Sequence, residues 1–173
     1  MSLIPETGVG VVGADTYASQ AYIDAYWVAR PHDAKAALWA AATSVNKDGA
    51  AREATAFIDA TYGPHCLGTR SGTLQGLLWP RTGAKDAAGY DLPGLPAELQ
   101  RAVAELAGRA ISARLSADAK RAGAVKRNKV DTIEQEFFEG ASTETKFGFV
   151  AGLLAPVLDG TQPGASSAKW AWN

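Results

Sequence analysis

Cysteine is almost missing from this 173-residue chain: Cys66 stands alone, and histidine occurs only as His32 and His65. A lone thiol cannot build an internal disulfide framework, and it fits a reducing compartment. One thiol and two imidazoles also fall short of a structural zinc site. An excess of one charge is absent too. The 17 Lys and Arg face 18 Asp and Glu, a formal net charge of −1, so the whole molecule has no positive surplus to hold a polyanion. No apolar run approaches the ~18 residues of a membrane span. Met1-Ser2-Leu3-Ile4-Pro5-Glu6 lacks the basic region and apolar stretch of a signal peptide. The expectation is a soluble intracellular domain that binds no membrane.

Large apolar side chains are sparse as well. The apolar fraction is 47%, but 35 of those residues are alanine, which leaves a thin core for this length. Alanine-rich helices pack closely and bury little area each. That combination suits a subunit completed by its neighbours.

What is present reads mainly as helix. Residues 1–14 show no helical period and carry three glycines and a proline, the pattern of an extended arm. A first helix over about 15–30 starts at Asp15 or Ser19 and stops before Pro31. Tyr22, Ala25, Tyr26 and Ala29 form its stripe, and Ile23 and Trp27 form a second apolar face. A short helix over 33–42 turns Trp39 inward, and a third over about 48–62 buries Ala51, Ala54, Phe57, Ile58 and Tyr62. Residues 63–96 hold seven glycines and four prolines, so they form a long ordered loop, anchored by Leu77-Leu78-Trp79-Pro80. The clearest helix follows Pro96, with Leu99, Ala102, Val103, Leu106 and Ala110 as its stripe, and extends to about 114 or 120. Residues 124–138 read as a β-hairpin, and 146–158 as a short helix or packing strand. The predicted fold class is therefore mainly α. It is a small helical bundle with a long ordered loop, a C-terminal β-hairpin and extended terminal arms. The expected divisions are an arm at 1–14, the bundle at 15–122, the hairpin at 123–145 and a second arm at 146–173.

Candidate chemistry is thin. Gly8-Val9-Gly10-Val11-Val12-Gly13 matches G-x-G-x-x-G, but the dinucleotide fingerprint needs a preceding strand and a βαβ unit. Only seven residues precede it, one of them Pro5, and a flexible arm explains it better. His65-Cys66 could pair a base with a nucleophile, yet adjacent side chains usually point apart and no third orienting group is evident. No catalytic residue, cofactor or metal is expected. Trp79, Pro80 and Arg81 read as a structural latch: a large apolar anchor, a restricted backbone and a cation for loop carbonyls or a neighbouring acid. Charge is segregated late in the chain. Residues 114–129 carry a local excess of +5 and residues 131–144 one of −5. Lys126, Arg127 and Lys129 could hold nucleic-acid phosphates, with Phe137 and Phe138 nearby. Pairing with Glu134 and Glu136 across a subunit boundary is the preferred reading, and a tight hairpin could also neutralise them within one chain. Trp170 and Trp172 lie in a tail with nothing else to bury and are expected to dock on another protein.

Several segments together resemble one family. Leu3-Ile4 with Glu6-Thr7-Gly8, then Gly13-Ala14-Asp15-Thr16-Tyr17-Ala18-Ser19, resemble the opening of phage proteins labelled DnaT-like single-stranded-DNA-binding. Leu78-Trp79-Pro80-Arg81-Thr82-Gly83-Ala84 resembles their central motif, continued by Gly89-Tyr90, Leu95-Pro96 and Glu105-Leu106-Ala107. Gly123-Ala124-Val125-Lys126-Arg127-Asn128-Lys129-Val130 resembles their late basic motif. The resemblance covers roughly residues 1–138, and its Trp-Pro-Arg block is the most specific part.

Members of that family are similar in size and helical layout to the head-to-tail connector, or adaptor, proteins of tailed bacteriophages. The resemblance then implies a structural virion protein, a ring of twelve copies at the neck between portal and tail, assembled in the bacterial host cytoplasm. Its partners would be further copies of itself, the portal protein, and a tail or stopper/tail-terminator protein. Genomic DNA would pass through the ring without sequence-specific binding. The alternative is a single-stranded-DNA-binding replication accessory that uses Lys126, Arg127 and Lys129.

Overall fold

Helix starts in this protein are set by side chains that catch a free backbone N–H. The structure, a computed structural model, describes residues 2–115 and 147–160, together with the backbone of two strands between them. Ser19 accepts from the Tyr22 N–H and opens α1 (Gln20–Val28). Asp33 accepts from Lys35 N–H and opens α2 (Ala34–Ala41). Thr43 accepts from Asn46 N–H and opens α3 (Ser44–Tyr62), four residues ahead of the expected start near 48. A 3-10 turn, Gly63–His65, closes α3 at Pro64. Then come two-residue strands β1 (Thr69–Arg70) and β2 (Arg81–Thr82), α4 (Ala97–Ala110), strands β3 (Arg127–Val130) and β4 (Ile133–Glu136), and α5 (Gly148–Leu154) with a 3-10 turn Ala155–Val157. The mainly α architecture is as the sequence predicts.

The core is built on α4. Its Leu99, Val103 and Leu106 are fully buried, and it packs against α1, α2, α3 and α5. Gly108 sits where α1 comes closest. A Cβ there would overlap the indole of Trp27, so the glycine is the recess that admits the tryptophan. α4 ends at Ala110, short of the expected 114, because Ser112 turns its hydroxyl onto the Arg109 carbonyl and Leu115 N–H is caught by Glu53 at 2.7 Å. In α1 the inward face differs from the expected stripe. Ile23, Tyr26 and Trp27 are buried, while Ala25 and Ala29 are exposed. The large side chains fill the space under α4, and the small ones are left to water.

The expected arm at 1–14 needs correction, and so does the start of the one at 146–173, where the short helix expected over 146–158 is present as α5; residues 161–173 lie outside the described residues. Residues 2–14 are stitched to the bundle: Ile4 and Asp15 exchange hydrogen bonds, and Glu6 N–H donates to the Thr16 carbonyl at 2.8 Å. Gly94 makes room for this segment, since a Cβ there would strike the Gly8 carbonyl. The start of the second arm is core, with Val150, Leu154 and Val157 fully buried. Their spacing of four and three is a helical stripe. Leu67 N–H donates to the Val157 carbonyl and Asp159 N–H to that of His65, which ties the end of this stretch to the loop after α3.

The chain divides into the bundle and a second unit, Ser116–Lys146. Both ends of the bundle that flank this unit rest on α3. Glu53 holds Leu115, and Phe57 meets the Phe147 ring edge-on at 5.4 Å between centroids. Within the second unit, β3 and β4 pair antiparallel.

Candidate functional site

Three places bear on function: the glycine-rich loop at the start, the Trp79 loop, and the hairpin. The first is a cradle of backbone N–H groups with an internal occupant. Glu6 is 2% exposed. Its Oε1 accepts from the N–H groups of Thr7, Gly8, Val9 and Gly10 at 2.8–3.1 Å, and its Oε2 from Val11 at 2.9 Å. Successive N–H groups of this kind make an anion site. Here the anion is the chain's own carboxylate, so the N–H groups of Thr7 to Val11 are already engaged and are not open to a pyrophosphate. The motif is not a flexible arm either, because Glu6 fixes it.

The Trp79 loop is pinned from below. Tyr17, fully buried, donates its hydroxyl to Asp59 Oδ1 at 2.5 Å and accepts from Trp79 N–H at 3.2 Å. Asp59 Oδ2 accepts from Leu78 N–H at 3.3 Å. Burial raises the carboxyl of Asp59 above its ordinary range, against the lowering pull of its Tyr17 and Leu78 hydrogen bonds. Burial and the neighbouring Asp59 raise the Tyr17 phenol as well. The Trp79 side chain is fully buried and Pro80 follows through a cis peptide bond. Arg81 donates through Nε to the Leu67 carbonyl at 2.6 Å and through Nη2 to Gly68 at 2.6 Å and Cys66 at 3.2 Å. Gln75, also buried, donates to the carbonyls of Leu77 and Pro80 and accepts from Gly72 N–H. With its Nε and Nη2 on three carbonyls, Arg81 is engaged within the loop, as the latch reading expects.

His65 and Cys66 show no nucleophile geometry. The Cys66 thiol donates to the Tyr62 carbonyl at 3.5 Å. Burial pushes that thiol up despite the nearby Trp79 indole and Arg81 guanidinium, the opposite of an activated thiolate. Among the described residues, no three His, Cys, Asp or Glu side chains are grouped to hold a metal ion. No described helix is long and apolar enough to cross a membrane.

The bundle's cations are largely engaged. Lys35, Lys47, Arg52 and Lys85 pair with Asp33, Asp24, Asp15 and Asp91 at 2.5–2.9 Å. Arg30 lies 3.5 Å over the Tyr26 ring and bonds the Tyr26 carbonyl, and Arg70 bonds that of Gln75. In the hairpin, the register makes Arg127 the Cα partner of Glu136, Asn128 of Gln135, Lys129 of Glu134 and Val130 of Ile133. The basic and acidic residues named from sequence are thus brought together within one chain. Lys126, Trp170 and Trp172 lie outside the described residues.

Sequence reasoning placed Glu6, Tyr26 and Glu105 in motifs or stripes without a role and passed over Asp59; the Tyr26 hydroxyl donates to the Glu105 carboxylate at 2.7 Å. Each had a signal: an acid two residues before a Gly-x-Gly, an acid set between Ile58 and Tyr62 on an apolar face, and an acid inside the α4 stripe. A carboxylate at such a position needs a donor.

The family model described as "Putative DnaT-like ssDNA binding protein" matches residues 1–170. No curated protein matches the chain, and no solved structure does. The likeness to connector proteins therefore has no counterpart in these comparisons.

Proposed function

The chain belongs to the DnaT-like ssDNA-binding family, and from that premise we propose that it is a non-catalytic replication accessory that grips single-stranded DNA with Lys126, Arg127 and Lys129. The observation that carries this reading is the family match, which runs through the bundle and the basic stretch alike. Charge accounting supports the location. Most bundle cations already have a carboxylate, carbonyl or ring partner, so phosphates would find their lysines and arginines in the second unit. Binding by three cations gives a shallow salt slope: raising salt from about 50 to about 200 mM should weaken single-strand affinity roughly twentyfold. Fluorescence anisotropy with an oligothymidine strand measures this. R127E/K129E should remove most of the binding. Feeble binding at low salt, unchanged in that variant, would sink the reading.

The hairpin register favours a second reading. Arg127 and Lys129 are the Cα partners of Glu136 and Glu134, and bases set in register with acids suit recognition between protein surfaces better than an open grip on phosphate. On this reading the chain is a head-to-tail connector in a phage neck. It would work with further copies of itself, a portal and a tail protein. Mass measured beside the anisotropy separates the two: a connector forms large oligomers and holds DNA weakly at either salt.

A further inference from the structure

The bundle's cations are engaged with two exceptions. Lys35, Lys47, Arg52 and Lys85 have aspartates, and Arg101 has Glu98 at 3.8 Å. Arg30, Arg70 and Arg81 hold backbone carbonyls. The side chains of Arg109 and Arg114 have no carboxylate or carbonyl partner among the described residues. Arg109 carries a buried Nε–H without an acceptor, and its guanidinium carbon stands 5.2 Å from the centre of the Phe147 ring. Its place in the last turn of α4 suits a cation but brings that N–H no acceptor. Arg114 is exposed. A guanidinium is best matched by a carboxylate or a phosphate. Glu53, the acid beside this end of the bundle, already accepts the Leu115 N–H at 2.7 Å.

Aromatic rings left in water are as scarce. Among the described residues they are those of Tyr90 and Phe149, 73% and 59% exposed. Tyr90 sits between acids: Asp86 accepts its N–H, and Asp91 follows it. Phe149 lies on α5, which has no charged residue and whose Val150 and Leu154 are buried. Single strands are held by this pair of devices, cations for the phosphates and an aromatic ring on which a base stacks.

The three residues belong to one end of the bundle. Arg109 meets Phe147, and Arg114 precedes Leu115. Phe147 and Leu115 are secured by Phe57 and Glu53 of α3, and Phe149 is two residues beyond Phe147. We propose that Arg109, Arg114 and Phe149 form a second single-strand contact on the bundle itself, in which the arginines take phosphates and the phenyl ring stacks a base. The proposal rests on the DNA-binding reading and adds to it a set of residues apart from Lys126, Arg127 and Lys129.

The two devices leave different signatures. With five cations in place of three, single-strand affinity should fall roughly a hundredfold between about 50 and about 200 mM salt, against roughly twentyfold for three. Anisotropy with the oligothymidine strand reads this, on full-length chains whose unfolding midpoints are checked. R109Q/R114Q should bring the fall back to about twentyfold, and R109K/R114K should keep the steep one. F149A should weaken binding roughly tenfold with the salt slope unchanged. F149L should be no better than F149A, and F149W should bind at least as well as wild type. If R109Q/R114Q does not fold, the exposed position decides alone: R114Q should reduce the fall to about fiftyfold.

A wild type that loses only about twentyfold overturns the proposal and leaves the DNA-binding reading standing. So does wild-type binding by R109Q/R114Q and F149A where R127E/K129E has lost it. F149L binding as well as F149W would make the ring an apolar contact for a protein and would also overturn it. A wild type that does not hold the strand at either salt overturns both.

Discussion

The bundle and the hairpin put their polar groups to opposite uses. In the bundle, Glu6, Asp59, Gln75 and Glu105 turn inward and hold particular backbone N–H groups, carbonyls or hydroxyls, between fully buried Trp27, Trp39 and Trp79. In the hairpin, charged residues recur at alternate positions of four-residue strands and are Cα partners across the ladder. Buried polar groups with complete partners fix one conformation. Charged pairs on a small ladder contribute little stability and much selectivity. The comparison locates the buried, fully partnered polar groups in the first region and the charged ladder in the second.

The harshest way to break that division is to place a charge in the bundle. Leu106→Asp puts a carboxylate among packed apolar residues and should cost several kcal/mol, on the order of 4. Thermal unfolding should show the helices lost together, and a wild-type midpoint would mean that α4 is not central to the core. Glu6→Ala comes next. It strips the acceptor from five N–H groups and should cost roughly 2–3 kcal/mol in denaturant titration. Hydrogen exchange should accelerate at residues 7–11 and not in α4.

Asp59→Asn sharpens the picture through pH. Its carboxyl is raised in the fold above the ordinary 3.8, so the folded state holds the proton more tightly than the unfolded chain does. That contribution is complete below the unfolded value and is lost as pH climbs through the raised one. The wild type should therefore lose stability over this window by a step that the asparagine variant lacks. Identical pH profiles would mean that Asp59 is not strained by its burial. The smallest effect belongs to R127E/K129E, which should leave the unfolding midpoint of the bundle within about 0.5 kcal/mol of wild type. A large shift there would show that the hairpin supports the bundle after all.

Much of the bundle was legible in the sequence because its signals are local. Ser19 and Asp33 cap helices a few residues away, and the α4 stripe repeats within its own length. The glycines and prolines of 63–96 announce a loop in the same way. What the sequence does not show is which distant groups hold that loop. Trp79 depends on Tyr17 and Leu78 on Asp59, partners brought together only by the packing of α3 against the starting segment. The same limit applies to residues 2–14. Their glycines suggest freedom, and the carboxylate that removes it acts through backbone N–H groups that leave no periodic trace. In the hairpin, opposed charge blocks were visible as composition. Their pairing is a matter of register, and register depends on the turn between the strands.

The positions of Glu53 and Phe57 on α3 have one more consequence. They are four residues apart, about 6 Å along the helix axis, and they secure the residues that flank the second unit. A segment whose two attachment points are fastened this closely acts as a cassette. Lengthening it adds little closure entropy, and exchanging it need not disturb the caps and stripes elsewhere.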